Sequence, residues 1–147
     1  MIERFFRLPL KKVQLMTSTI KYIGDLRTES THLSSGKKII TDAPIDNHGM
    51  GESFSPTDLV ATSLASCMLT IIGIYCQNHA IEFKNGYVEV EKIMGTNPRR
   101  IEKINLNIDL SENRWDETTR LKVIAACKDC PVAKTLEGNV LMEFNFI

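Results

Sequence analysis

Four cysteines, Cys67, Cys76, Cys127 and Cys130, are the residues of this chain with the most evident chemistry. The sequence opens without a recognisable export signal, so we expect a cytoplasmic protein whose cysteines are free thiols, redox groups or metal ligands. Cys67 and Cys76 lie nine positions apart in one apolar segment. On a helix this spacing puts them on opposite sides and about 13 Å apart, so we expect Cys76 to be a core residue.

Cys127 and Cys130 form a C-x-x-C pair, for which several interpretations stay open. A single pair is half of a zinc site, and the three histidines are scattered, so no metal and no cofactor is expected. A local disulfide between the two is a further alternative. Cys130 precedes Pro131 and so occupies the cap of a short helix, where backbone amides and the helix dipole are expected to lower the thiol pKa.

Cys67 receives no such help from its own helix, so a reactive Cys67 requires a cation supplied by the fold. Arg27 is the candidate, and its alternative interpretation is a solvated loop arginine. Glu52 and Asp58 flank the start of the apolar segment and are expected to orient the guanidinium. The alternatives for these carboxylates are a surface charge and a partner of the helix dipole.

This set of groups fits the reduction of a peroxide. A thiolate attacks one peroxide oxygen, an alkoxide leaves, and a sulfenic acid forms on Cys67. A guanidinium keeps the thiol ionised and stabilises the leaving oxygen. A second cysteine then condenses with the sulfenic acid to give a disulfide, which an external dithiol reduces. Apolar neighbours at Leu64, Met68 and Ile71 favour alkyl or lipid hydroperoxides.

The element that carries Cys67 begins at a strong helix-start signal. Ser55 is a good N-cap, Pro56 suits the first helical position, and Asp58 lies three residues after the cap. Residues 59–81 contain no acidic or basic side chain. The segment is long enough for a bilayer span, but its polar residues argue against one. A helix apolar on nearly all sides must be buried, so we infer a homodimer in which a second copy covers it.

The remaining pattern predicts three strands, the long helix, two strands, two helices and a last strand. Residues 101–110 alternate, which places Ile104, Leu106, Ile108 and Leu110 on one buried face. Residues 115–128 are predicted helical, with Leu121, Ile124, Ala125 and Lys128 on one side. Strands grouped before helices favour an α+β fold.

The composition of the 147 residues is that of a single globular domain, with 43% hydrophobic residues to build a core. The 18 basic and 18 acidic residues cancel, so the chain has no electrostatic footprint for nucleic acid. Residues 1–15 are expected to form an N-terminal arm or extension rather than a membrane anchor. Residues 16–147 are expected to form the domain.

Two segments resemble the osmotically induced protein and organic hydroperoxide resistance (OsmC/Ohr) family. The first is SPTDLVATSLASCM, residues 55–68, and the second is CPVAKTL, residues 130–136. The resemblance, closest to the OsmC-like branch, implies an intertwined homodimer whose antiparallel sheets wrap long central helices. It also implies that Cys67 is the peroxidatic residue, Cys130 the resolving one and Arg27 the activating arginine. One departure is Thr57, because hydroperoxide reductases of the family carry glutamate there.

Three hypotheses follow. The first is a thiol peroxidase acting on organic hydroperoxides, reduced by an external dithiol of the lipoyl type. The second is an OsmC-like protein that binds a small ligand or senses redox state with little peroxidase turnover. The third is a redox or metal protein centred on Cys127 and Cys130. The Cys67–Cys130 separation and the environment of Arg27 distinguish them.

Overall fold

The structure is a computed structural model, and it describes residues 16–147. The order of elements is three strands, a long helix, two strands, two helices and a strand, so the predicted α+β class is confirmed. Two compact units divide the chain, one ending at Ser53 and the other spanning Phe54–Ile147. The predicted N-terminal arm, residues 1–15, lies outside the described residues.

The first unit is a three-stranded antiparallel sheet in the order β1-β2-β3. Asp25 and Leu26 both have positive φ, 50° and 59°, which is the backbone of a tight turn between twisted strands. This turn places Arg27 at the first position of a strand rather than in a loop. A short 3-10 helix, Ile45–Asn47, follows the sheet. The strands are β1 Ser18–Gly24, β2 Arg27–His32 and β3 Lys38–Asp42.

The second unit is built around helix α1, Pro56–Asn78. The helix begins where the sequence predicts. The Ser55 hydroxyl accepts a hydrogen bond from the Asp58 amide, and the Asp58 carboxylate accepts one from the Ser55 amide. These two bonds satisfy donors that a helix end leaves without partners. By length and composition α1 is apolar enough to cross a membrane, a test that the core helix of a soluble protein also passes.

A three-stranded sheet in the order β4-β5-β6 packs against α1. Strands β4 and β5 are antiparallel, but β6 runs parallel to β5, which departs from the expectation of antiparallel sheets. Parallel neighbours need a long crossover, and α2 with α3 supplies it. The bounds are β4 Tyr87–Gly95, β5 Arg100–Asp109, the 3-10 helix Ser111–Asn113, α2 Glu117–Cys127, α3 Pro131–Leu136 and β6 Leu141–Phe146.

The core of the second unit forms where α1 meets β5 and the two short helices. Residues at helical spacing along α1 interlock with the predicted inward face of β5. For α2 the predicted face is wrong: Leu121 is 56% exposed, whereas Val123 and Cys127 are buried. Helix α2 therefore packs against α1 through the side that carries Cys127. The buried α1 and β5 side chains are Ala61, Leu64, Ala65, Met68, Ile72, Cys76, Ile104, Leu106, Ile108 and Leu110.

Candidate functional site

Cys67 lies in the middle of α1, eleven residues after its first position. Its side chain is partly exposed, whereas Cys76, Cys127 and Cys130 are buried, and all four are free thiols. Cys76 belongs to the core, as its position on the opposite side of the helix predicts. Cys67 is therefore the cysteine of this chain that a molecule from solvent reaches first.

Cys130 is the N-cap residue of α3, as the following proline predicts. The fold brings its thiol into direct contact with that of Cys67, because each lies against the other where α1 meets α3. The two residues are far apart in sequence, and the contact exists only because the crossover from β5 to β6 returns over α1. Two free thiols in contact are placed to form a disulfide with little movement.

The predicted lowering of the Cys130 pKa is wrong. Burial raises the pKa of this thiol, and the adjacent Cys67 thiol raises it further. The amides of Ala133 and Val132 act in the opposite direction, but no capping hydrogen bond reaches the sulfur, so their effect is smaller. A thiol with a raised pKa is a weak nucleophile toward peroxide at neutral pH, which leaves Cys130 the role of condensing with the electrophilic sulfur of an oxidised partner.

Arg27 is held by two carboxylates of its own unit. It is the cross-strand partner of Asp42, whose Oδ2 lies 3.4 Å from its Nη2. The same Nη2 donates to Glu52, the carboxylate that was predicted to orient the guanidinium. Asp42 is completely buried and Arg27 is 26% exposed, so the guanidinium is fixed rather than solvated. We name Arg27, Asp42 and Glu52 the arginine cluster.

Hydrogen bonds set the charge states of the arginine cluster. The Glu52 amide donates to Asp42 Oδ2 over 2.9 Å. This bond, followed by the attraction of Arg27, lowers the pKa of Asp42, so its carboxyl group stays ionised. With one guanidinium and two carboxylates the cluster carries a formal charge of −1. Within the described residues the buried Arg27 Nε–H has no acceptor, so the guanidinium keeps one unused donor.

Asp58, the other predicted carboxylate, caps α1 and pairs with Lys92 of β4. Lys92 Nζ donates to Asp58 Oδ1 over 2.6 Å and to the Thr57 hydroxyl over 2.8 Å. Burial pushes the pKa of Asp58 upward, but the hydrogen bonds from Lys92 and Ser55 outweigh it, and the pKa is lowered. Thr57 occupies the position at which the peroxidase pattern has glutamate, and its hydroxyl here helps to bind the Lys92 ammonium group.

Replacing Asp58 by alanine is expected to lower the free energy of unfolding by about 1–2 kcal/mol, because the helix loses its cap acceptor and Lys92 loses its anion. Chemical denaturation at neutral pH measures the change. Because the folded-state pKa of Asp58 is lowered, its contribution is present above its unfolded pKa and disappears as the pH falls through the lower folded value.

Asp58→Asn is the matched control, since it keeps an amide oxygen for the Ser55 amide and removes the charge. The stability difference between wild type and Asp58→Asn should therefore narrow toward acidic pH. A loss of peroxide turnover in Asp58→Asn without any loss of stability would instead return Asp58 to the catalytic role predicted from the sequence.

The apolar neighbours predicted for Cys67 divide between the core and two cavities. Leu64 is buried in the core, and Ile71 lines a groove of about 550 Å³ between α1 and α2. Met68, the residue after Cys67, lines a cavity of about 310 Å³. Within residues 16–147, no group of three or more His, Cys, Asp or Glu side chains is placed to hold a metal ion. The other residues of the smaller cavity are Lys128, Ala133, Lys134, Glu137, Met142 and Phe144.

Two residues of these clusters, Asp42 and Lys92, were missed by the sequence analysis. Asp42 is the last residue of β3, a position that its residue type alone does not indicate. A register that pairs Arg27 with Asp42 across the β2–β3 hairpin would have identified it. Lys92 could have been identified from the alternation of β4, because it lies four residues after Val88 and so on the same face of the strand, which faces α1.

A family model described as OsmC-like protein matches residues 49–145. A solved structure from Psychrobacter arcticus 273-4, named provisionally as an osmotic stress induced and detoxification response protein, is 44% identical with a TM-score of 0.85. The match covers 90% of this chain and 96% of that one. A search of curated proteins finds no match.

Two further solved structures are named organic hydroperoxide resistance proteins. The organic hydroperoxide resistance protein OsmC of Legionella pneumophila is 18% identical, covering 90% and 97% of the two chains with a TM-score of 0.71. The organic hydroperoxide resistance protein OhrB of Bacillus subtilis is 16% identical, covering 90% and 98% with a TM-score of 0.62. At these identities the likeness is one of fold.

Proposed function

Because the chain belongs to the OsmC-like protein family, we propose that it is a thiol-dependent peroxidase of the cytoplasm that reduces organic hydroperoxides. The family membership agrees with the resemblance of residues 55–68 and 130–136. The observation that supports the activity best is the contact between the Cys67 and Cys130 thiols, of which only Cys67 is partly exposed. One sulfur is positioned to meet a substrate and the other to resolve the product.

The proposed cycle assigns one step to each thiol. The Cys67 thiolate attacks the terminal oxygen of the hydroperoxide, the O–O bond breaks, and the alkoxide takes a proton to leave as an alcohol. The sulfenic acid on Cys67 condenses with the Cys130 thiol, forming a disulfide and releasing water. An external dithiol, of the lipoyl type in our proposal, reduces the disulfide to two thiols and becomes a cyclic disulfide itself.

We assign to Arg27 the stabilisation of the thiolate and of the leaving oxygen. Because two carboxylates outweigh the guanidinium and leave the arginine cluster with a formal charge of −1, the cluster as a whole exerts no attraction on a distant thiolate. Arg27 therefore acts through a directed N–H bond, and its Nε–H has no acceptor within residues 16–147. Glu52 and Asp42 hold the guanidinium plane in position.

We propose that the active form is a homodimer, and two features support this. The outer strand β1 and strand β3 leave large apolar side chains uncovered: Ile20 is 64%, Tyr22 63% and Ile39 51% exposed. Ile74, on the part of helix α1 that carries no Asp, Glu, Lys or Arg, is 48% exposed in the single chain. Apolar residues exposed in this number are typical of a surface that a partner covers.

A second candidate function is a binding or redox-sensing protein of the same fold with little turnover. The pairing of Arg27 with two carboxylates, which leaves the arginine cluster with a formal charge of −1, favours it, because a peroxidatic thiolate then receives weaker electrostatic support. Thr57 in place of the glutamate of the hydroperoxide reductases points in the same direction. The steady-state assay that tests the first proposal also decides this one.

The test is steady-state consumption of cumene hydroperoxide and of hydrogen peroxide by the full chain, with dihydrolipoamide as the reductant. We expect turnover with both and a kcat/KM at least about tenfold higher for cumene hydroperoxide, since apolar surface adjoins the thiol and a methylene-sized contact contributes about 0.8 kcal/mol. Consumption no faster than that by an equal concentration of free cysteine would reject the peroxidase and favour the binding protein.

Variants of Arg27 serve as the internal control of this assay. Arg27→Gln removes both the charge and the planar set of N–H donors, whereas Arg27→Lys keeps the charge and removes only the planar set. If Arg27 acts through a directed bond, both variants lose turnover, by about 10²-fold. Full activity of Arg27→Lys would mean that charge alone is sufficient, and full activity of both would remove Arg27 from the mechanism.

A further inference from the structure

A third thiol adjoins the Cys67–Cys130 pair and has no part in the proposed cycle. Cys127 is the last residue of α2, is completely buried and interacts electrostatically with the Cys130 thiol. Its S–H donates to the carbonyl oxygen of Ile124 over 3.1 Å, so no partner thiol is bonded to it. Cys130 thus neighbours two thiols, Cys67 from α1 and Cys127 from α2.

The backbone between Cys127 and Cys130 is a closed turn. The amide of Cys130 donates to the carbonyl oxygen of Cys127 over 3.3 Å. The ends of such a turn have Cα atoms within about 7 Å of each other. Disulfides span Cα separations of roughly 4.4–6.8 Å, so the turn gives the C-x-x-C pair a backbone span compatible with a bond between the two sulfurs.

The three thiols also differ in access, which gives oxidation a direction. Cys67 is partly exposed, whereas Cys130 and Cys127 are both 0% exposed. An oxidant therefore enters at Cys67. Cys127 is shielded from solvent and interacts with Cys130, so the route of oxidation that the proposal uses runs through Cys130.

We propose that Cys127 is a second resolving thiol, which takes over the disulfide from Cys67 and stores it as a Cys127–Cys130 bond. This inference rests on the proposed function, because the Cys67–Cys130 disulfide is its starting point. In the exchange the Cys127 thiol gives its proton to solvent, and its sulfur attacks the sulfur of Cys130. The Cys67–Cys130 bond breaks, and Cys67 leaves as a thiolate. No electrons are gained or lost by the three cysteines together.

The exchange returns the exposed sulfur to its reactive form while the oxidising equivalent moves into the protein interior. Its rate is limited by the ionisation of Cys127, because burial raises the pKa of that thiol to about 11. Below that value the thiolate fraction grows about tenfold with each unit of pH. The transfer is therefore slow near neutrality and faster in alkali.

The test begins with the fully reduced chain and about one equivalent of cumene hydroperoxide per subunit. Samples are quenched with acid at intervals, alkylated and digested, and the disulfides are identified by mass spectrometry. We expect the Cys67–Cys130 peptide pair first and the Cys127–Cys130 pair later, with a conversion rate that rises about tenfold per unit of pH between about 7 and 9. A Cys67–Cys130 bond that persists with Cys127 free at all times overturns the proposal.

The matched variants separate this inference from the peroxidase. Cys127→Ser, which keeps a donor for the Ile124 carbonyl, and Cys127→Ala both stop at Cys67–Cys130, whereas Cys76→Ala behaves as wild type. If peroxide produces no disulfide at Cys67, the proposed function fails. Diamide oxidation of Cys67→Ser then tests the inner pair alone: a Cys127–Cys130 bond supports its geometry, and the absence of that bond rejects it.

Discussion

Replacing Cys67 by serine is expected to abolish the reduction of cumene hydroperoxide, with kcat/KM falling on the order of 10³-fold or more. A hydroxyl is a far weaker nucleophile than a thiolate toward peroxide oxygen, and the chain offers no other partly exposed cysteine. The change from sulfur to oxygen is small in volume, so the fold should survive. Steady-state consumption with dihydrolipoamide as reductant gives the rate, and circular dichroism confirms the folded state.

Cys76→Ser is the control for the loss of a thiol from α1. Cys76 lies on the buried side of the same helix, and burial raises its pKa, so it should take no part in turnover. This variant should keep the wild-type rate, although a hydroxyl in the core costs some stability. Equal rates in wild type and Cys67→Ser would end the proposal that Cys67 is peroxidatic.

Replacing Cys130 by serine is expected to permit one turnover and then stop. The first reaction, at Cys67, keeps its nucleophile, so a single equivalent of peroxide should disappear at close to the wild-type rate. The sulfenic acid then lacks the thiol in contact with it and is exposed to further peroxide, which converts it to sulfinic acid. Burst kinetics and the mass of the Cys67 peptide, heavier by two oxygens, record the two events.

Cys127→Ser is the comparison for Cys130→Ser, because both remove a buried thiol from the same turn. Cys127→Ser keeps the contact between Cys67 and Cys130, so it should continue to turn over without sulfinic acid. Sustained turnover in Cys130→Ser would show that the external reductant resolves the sulfenic acid unaided.

The order of elements and the start of α1 could be predicted from the sequence because they depend on local patterns. Ser55, Pro56 and Asp58 encode a helix start in their own backbone bonds, and the alternation in β5 reports which face is buried. The face of α2 could not be read in this way. Its apolar residues occupy more than one side, and only the packing on α1 selects Val123 and Cys127 over Leu121.

The family motifs predicted which cysteines form the candidate site. The pKa values and partners of its residues could not be predicted, because they depend on tertiary contacts. The meeting of Cys67 with Cys130 was implied by the resemblance and follows from no spacing in the chain. The pKa of Cys130 was wrong in direction because its burial depends on α1, which a local argument about α3 does not include. Asp58 pairs with Lys92, because β4 places this lysine, 34 residues away in sequence, beside the start of α1.

The roles of Cys67, Cys130, Arg27, Glu52 and Asp58 in catalysis stay predictions, and the variants above distinguish them. The structure nevertheless ranks the carboxylates. Glu52 contacts Arg27 directly, and the buried Asp42 supports the same guanidinium from the neighbouring strand. Asp58 is engaged by its own helix and by Lys92.

The parallel pairing of β6 with β5 has a consequence for the newborn chain. Among the described strands β6 leaves the ribosome after all the others, and the crossover of α2 and α3 is anchored at both ends only when β6 joins β5. Cys67 is synthesised long before that moment. In the proposed cycle, therefore, Cys67 lacks its resolving thiol for a time during translation, and its protection from irreversible oxidation arrives together with β6.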